Sequence, residues 1–441
     1  MNHIKRKAQI SILLIVICSS KLLCQAENNL SSKDKLYGLS LLWKEVSYNF
    51  AFFHQVPDLN WDSCYQAYIP RVMESANDWD YYLELQRFIS LLQDGHTRVF
   101  PPEKLRNKYY GTATKQITTR LIDGRVIVTR VLQDSLKARG FKQGMEIVAV
   151  DNMDVIKYAN KYVAPYVYAS TPQYRQLEVF GEYLLSGSTS VPTNIQLQDT
   201  EGNKLTCNLF REPWIMEKEM LLGEQMAYIV LPENIGYLKI NNFVVNESFR
   251  STFDSIFKKV LLTDKLIIDV RDNIGGTTEN ILYVLKHFTD KNFKSTKWRS
   301  PENIAAHRSW GSGIEWFEDN GYEVTPFESI NIYSKPIDVL TDEGTFSCAE
   351  DFCVEFLTME RGKLIGTKTA GSSGNPLIID LPGGGTALIC AKQDFFPDGR
   401  EYVGFGITPD IEVKTTITDI LENKDPVLEM ACRDLSKTPG L

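Results

Sequence analysis

The chain has 441 residues, 43% hydrophobic and 24% charged, an ordinary globular balance with length for two or three domains. Its formal net charge is −8 and beyond Lys5-Arg6-Lys7 its sequence shows no basic patch, which argues against a nucleic-acid partner. It carries no long low-complexity tract and no repeat of solenoid period.

The N-terminus reads as a secretory signal. Lys5, Arg6 and Lys7 precede an apolar stretch from Ile10 to Cys18, and Cys24 and Ala26 supply small residues for a cleavage site. Residues 1–26 are therefore expected to be a cleavable signal peptide, too short to span a bilayer comfortably, and the mature protein to be exported, periplasmic or extracellular. The competing reading is a lipoprotein anchored at Cys24, against which stands the bulky Leu23 directly before it. Cleavage removes four basic residues and no acid, taking the net charge from −8 to −12. No later segment is long and apolar enough for a transmembrane helix. Cys64, Cys207, Cys348, Cys353, Cys390 and Cys432 are scattered without framework spacing, and no CxxC pair or His/Cys cluster points to a metal. No cofactor is expected.

Residues 27–114 form an expected N-terminal helical domain. Leu36, Leu39, Leu42, Trp43 and Val46 recur at helical spacing, as do Tyr82, Leu85, Phe88, Ile89 and Leu92. The second helical run ends in the turn Gln93-Asp94-Gly95-His96-Thr97. Residues 115–212 change to short β-rich pieces. There Gly144-Met145-Glu146-Ile147-Val148-Ala149-Val150-Asp151-Asn152 resembles the glycine-led strand of a PDZ domain, which would hold a peptide by strand addition, or else reads as a generic hairpin. Residues 213–430 alternate strand and helix, as in Tyr237–Ile240, Phe249–Val260 and Leu266–Val270, which implies an α/β core. Residues 289–335 interrupt it as an elaborated loop, and 431–441 remain as a C-terminal tail.

Within the core, the apolar run Ile337–Thr341 leads through Gly344-Thr345-Phe346-Ser347-Cys348 into a helical pattern. Strand, tight turn, serine, helix places Ser347 among N–H groups with no intrahelical partner, where an oxyanion can be stabilised. The plain alternative is an N-cap, with Glu350 completing a capping box. Asp269-Val270-Arg271-Asp272-Asn273-Ile274-Gly275-Gly276 reads as a buried strand ending in paired glycines that turn N–H groups outward. After signal removal a histidine base has to be His54, His96, His287 or His307. Glu401, within Pro397–Asp410, offers an acid near the C-terminus.

These segments, with the turn at Asp94–Thr97, Gly366–Gly371 and Gly404-Phe405-Gly406-Ile407-Thr408-Pro409-Asp410, stand in the order seen in S41 peptidases, the C-terminal-processing and tricorn-like serine proteases, and the chain resembles that family over most of residues 35–415. The resemblance implies a multidomain α/β protein: a helical N-terminal region, a PDZ-like domain, and a ClpP/crotonase-like protease core. One branch of the family uses a lysine base at the place this chain fills with Ser372; Lys368 matches a different, non-catalytic position. The tricorn-like branch uses serine, histidine and glutamate, and on that pattern Ser347 is the nucleophile and His96 the general base. The glutamate would precede Gly404, where this chain has Val403, so Glu401, two residues earlier on the same strand face, takes its place. The backbone N–H groups of Cys348 and of Gly275 or Gly276 are the implied oxyanion hole, and Arg271 holds the loop without reacting. The function implied is cleavage of peptide or unfolded-protein substrates, with activity falling through the histidine range on acidification. A catalytically inactive peptide- or ligand-binding member of the same fold is the alternative.

Overall fold

The computed structural model describes residues 29–213, 224–328 and 331–437; the expected signal segment, Cys24 included, lies outside them. Helix α1 (Ser32–Asn49) starts at a capping box in which Ser31 and Asp34 satisfy each other's backbone N–H. Asn60 and Asn77 cap α2 (Trp61–Met73) and α3 (Asp78–Ser90). The chain then turns through residues 91–97 into the short strand β1 (Arg98–Phe100).

A β-rich unit follows. Strands β2 (Ile117–Ile122), β3 (Arg125–Val131), β4 (Glu146–Val150), β5 (Thr193–Gln198) and β6 (Lys204–Leu209) lie side by side in that order, all antiparallel. Between β4 and β5 the chain forms helix α4 (Pro172–Leu177), which tightens into a further turn over Glu178–Glu182. Asp123 and Gly124 both take positive φ, as a two-residue β2–β3 hairpin requires.

The larger unit is built on a six-stranded sheet. Its first strand β7 (Met226–Leu231) pairs antiparallel with β8 (Ile235–Ile240). Helix α5 (Phe249–Val260) leads to β9 (Lys265–Asp269), and α6 (Thr278–Leu285) precedes the residue 289–335 excursion. Strand β10 (Ile337–Thr341), helix α7 (Cys348–Thr358) and strand β11 (Gly362–Gly366) come next. Strands β12 (Pro376–Leu381) and β13 (Gly385–Cys390) pair with β1 in a separate sheet, in the order β1-β13-β12. Strand β14 (Ile411–Glu412) then closes the main sheet, so that β8, β9, β10, β11 and β14 run parallel. Helix α8 (Pro426–Lys437) continues across residue 430, where a tail was expected, because Val427, Ala431 and Leu435 are buried against the sheet.

Both faces of the sheet are covered, which explains why Leu266-Ile267-Ile268 is apolar without alternation. Leu266 and Ile268 enter the main core, while Ile267 points to the α8 side. That main core also contains Leu39, Leu42, Tyr82, Leu85 and Phe88, so the N-terminal helices pack as a layer of the sheet's own core. The β-rich unit has its own apolar cluster, joined by Ala370. Among the described residues no helix is long and apolar enough to cross a membrane.

Candidate active site

Three segments leave the carboxyl ends of adjacent parallel strands: residues 270–276 after β9, 342–347 after β10, and 367–372 after β11. This is where open α/β sheets place their ligands. Ser347 sits at the last residue before α7 with φ 58° and ψ −133°, a conformation that costs a non-glycine residue about 1–3 kcal/mol. Its side chain makes no capping hydrogen bond to the helix. Instead its Oγ lies 3.0 Å from His96 Nε2.

His96 arrives from a distant stretch of chain, on a turn fixed by Asp94. The buried Asp94 carboxylate accepts hydrogen bonds from Thr97 N (2.7 Å), Thr97 Oγ1 (2.6 Å) and Ser170 Oγ (3.2 Å). The imidazole stacks on Phe346, with ring centroids 4.5 Å apart and planes inclined by 13°. The Arg98 guanidinium lies over the same phenyl ring, 5.6 Å from its centroid. Burial first, then the Arg98 and Lys392 cations, push the His96 pKa down to about 3, so its resting state is the neutral imidazole that a general base requires. The acid limb expected in the ordinary histidine range is displaced downward for the same reason.

His96 Nδ1 contacts Ser372 Oγ at 3.0 Å. With the proton on Nδ1, the ring donates to Ser372 and accepts from Ser347. In the sequence Ser372 stands out only as the residue placed where a related branch has lysine. It is held by Glu350, whose buried carboxylate accepts from Ser372 N (2.7 Å), Gly371 N (2.8 Å) and Thr369 Oγ1. Burial pushes the Glu350 pKa up to about 8 in spite of those three donors. Glu350 therefore braces the neighbouring loop and caps nothing. Ser372 O in turn accepts from Ser347 N at 2.9 Å, which removes that N–H from any role toward substrate.

Glu401 is not brought to this group. Its side chain is exposed on a shallow cleft with Phe52, His54, Gln55 and Asp394. Burial lowers the His54 pKa, and the Glu401 carboxylate acts on it in the opposite sense. Both ring nitrogens of His96 already face hydroxyl groups. Lys368 is exposed.

The oxyanion-hole expectation becomes narrower. Gly275 N donates to Asn273 Oδ1 at 2.9 Å, whereas no hydrogen bond among the described residues takes up the N–H of Gly276 or Cys348. Gly275, at φ 91°, is indispensable for shape: a Cβ there would stand 2.7 Å from Ser347 Cβ and 2.8 Å from Cys348 N. Asn273 joins the two loops, since its carbonyl accepts from Phe346 N (2.9 Å) and its Nδ2 donates to Ile240 O (2.8 Å). Cys348 Sγ donates to Gly276 O at 3.2 Å, and burial pushes its thiol up, away from the thiolate a nucleophile needs. Arg271 forks between Asp269 and Asp425, fixing the loop's base. From the β-rich unit, Arg120 reaches Asp272 (2.8 Å) and Glu343 (2.9 Å), one on each site loop. No group of three or more His, Cys, Asp or Glu side chains suited to a metal occurs among the described residues.

Comparison with known proteins bears on the family and the fold. The model of peptidase family S41 matches residues 234–413. A carboxy-terminal-processing protease of Bartonella bacilliformis is 24% identical over 317 residues, covering 67% of each chain. A carboxyl-terminal-processing protease of Synechocystis is 20% identical over 401 residues, 87% of this chain and 82% of that one. The crystal structure of mature CPAF superimposes with a TM-score of 0.71 at 17% identity, covering 93% of this chain and 99% of that one, a likeness of fold. The family match covers the strands that carry the serine turn and the paired glycines, and from it follows the assignment: residues 234–413 match peptidase family S41, and the comparisons support a serine-type peptidase.

Proposed function

We propose that the protein is an exported endopeptidase that hydrolyses extended or unfolded polypeptides, with Ser347 as nucleophile and His96 as general base. The observation that carries this reading is the 3.0 Å contact between Ser347 Oγ and a neutral, buried His96 Nε2, made on a strained turn at a helix N-terminus. His96 takes the Ser347 proton as Oγ adds to the scissile carbonyl, and the carbonyl oxygen becomes an anion facing Cys348 N–H and Gly276 N–H. The imidazolium then delivers the proton to the leaving amine, and water repeats the sequence on the acyl-enzyme. Ser372 holds the ring through Nδ1. In this reading residues 1–26 are the export signal and 115–212 the PDZ-like unit.

The test is hydrolysis of casein by residues 27–441 beside the Ser347→Ala variant, with fluorophosphonate labelling of both. Cleavage and labelling by the parent alone support the reading. A folded parent that does neither would identify a binding protein on a peptidase fold.

A further inference from the structure

An extended substrate needs a place to lie, and the exposed sheet edges differ sharply in what they offer. The edge strand β2 of the β-rich unit is covered: Thr119 Oγ1 donates to Phe180 O in the turn after α4, and Gly181 packs so close that a Cβ would stand 3.3 Å from Thr119 O. The edge strand β7 of the main sheet exposes Ile229 and Val230, but these pair with Tyr237 and Gly236, toward the amino ends of the parallel strands and away from Ser347.

Strand β12 is different in both respects. It is the outer strand of its sheet, bonded on one side to β13 and, among the described residues, unpaired on the other. Its middle is uncharged and apolar, with Leu377 39% and Ile378 73% exposed. Proteins usually guard such an edge with lysine, a bulge or a cover, because it is a ready template for another strand. It also begins four residues after Ser372, whose Oγ meets His96 and whose carbonyl holds Ser347 N. Five residues of chain span at most about 17 Å, so Leu377 lies within reach of a peptide only about five residues from the scissile bond.

We propose that β12 is the substrate-docking edge: an extended polypeptide pairs with Pro376–Leu381 by strand addition, and its side chains at alternate positions rest on Ile378. This rests on the peptidase reading above. The recognised class is an extended apolar segment of an unfolded chain, without proline at the paired positions, since main-chain bonds give the affinity and alternate side chains the selectivity. Short substrates that end before the edge would forgo this binding energy.

The experiment compares kcat/KM on an apolar decapeptide with kcat/KM on a single-residue ester, for the parent and for Ile378→Lys, with fluorophosphonate labelling to count competent Ser347. Ile378 is exposed, so lysine there is compatible with the fold. The peptide-to-ester ratio is expected to fall about tenfold in Ile378→Lys, the effect of losing the apolar contact of one half-covered isoleucine side chain. On the parent, N-methylation walked along the decapeptide is expected to depress the rate at every second position. An unchanged ratio together with a flat N-methyl scan would overturn the docking edge while labelling leaves the peptidase reading intact. A parent that is folded but takes no label would overturn both.

Discussion

Ser372 Oγ stands 3.0 Å from His96 Nδ1, at the position a carboxylate occupies in the Ser-His-Asp arrangement. A hydroxyl there can orient the ring but brings no charge to the imidazolium that forms during the reaction. Ser372→Ala should therefore lower kcat by about ten- to a hundredfold and leave KM nearly unchanged, the split that marks an interaction made in the transition state. Steady-state kinetics on a fluorogenic peptide measures it. An unchanged kcat would mean that Phe346 stacking alone fixes the ring.

Ser347 holds a backbone conformation that glycine adopts freely. Ser347→Ala and Ser347→Gly should both be inactive, but only the glycine variant should gain stability, by about 1 kcal/mol, as the strain is released. Thermal unfolding of the two variants beside the parent separates nucleophile loss from strain relief.

Gly275→Ala should lower kcat about a hundredfold or more. The added methyl collides with Ser347 Cβ and Cys348 N, and the turn must move away from the place where the oxyanion forms. Fluorophosphonate labelling should slow in parallel, whereas binding of a non-hydrolysable peptide should change little.

The pH profile follows from the depressed His96 pKa. Because the base stays neutral down to about pH 3, kcat/KM should show no histidine limb near pH 6.5 and should be flat between pH 7 and 5. The stability consequence has a definite sign. The unfolded imidazole protonates near pH 6.5 and the folded one does not, so this group's contribution to stability is lost as pH falls from about 6.5 toward 3. Chemical denaturation of the parent and His96→Ala at pH 7 and 5 tests it: the parent should lose more stability on acidification than the variant.

Glu350→Gln should disturb the site without touching substrate. Above about pH 8, where Glu350 is ionised, the amide would present N–H donors to Gly371 N–H or Ser372 N–H, replacing an acceptor with a clash of donors. A fall in kcat with normal far-UV dichroism is expected.

How far the sequence disclosed this site depended on whether each role is local. Ser347 is readable because strand, turn and helix are neighbours in the chain, and the paired glycines for the same reason. The burial of β9 on both faces was equally plain from Leu266-Ile267-Ile268. His96 gave no such local sign and emerged from a short choice of histidines and from a resemblance. Glu350 three residues past Ser347 imitates a capping box, and only tertiary structure shows its carboxylate turned toward residues 369–372. Ser372 could be noticed only as a departure from lysine, since nothing in its neighbourhood announces a contact with a ring 276 residues away. Strand periodicity would put Glu401 on one face with the position before Gly404, but no strand forms there: Glu401 makes an isolated bridge to Phe395 and residues 403–405 turn, which leaves its side chain beside His54.

The shared core of the N-terminal helices and the sheet has a practical outcome for how the molecule fails. Base and nucleophile are carried by different layers of that core, His96 at the foot of α3 and Ser347 above β10, with no covalent link nearer than 251 residues. A slip of about an ångström between the layers would part them while most secondary structure survived. Turnover should thus be the first property lost under mild urea or warming, and its decay a sensitive gauge of how firmly the two layers stay docked.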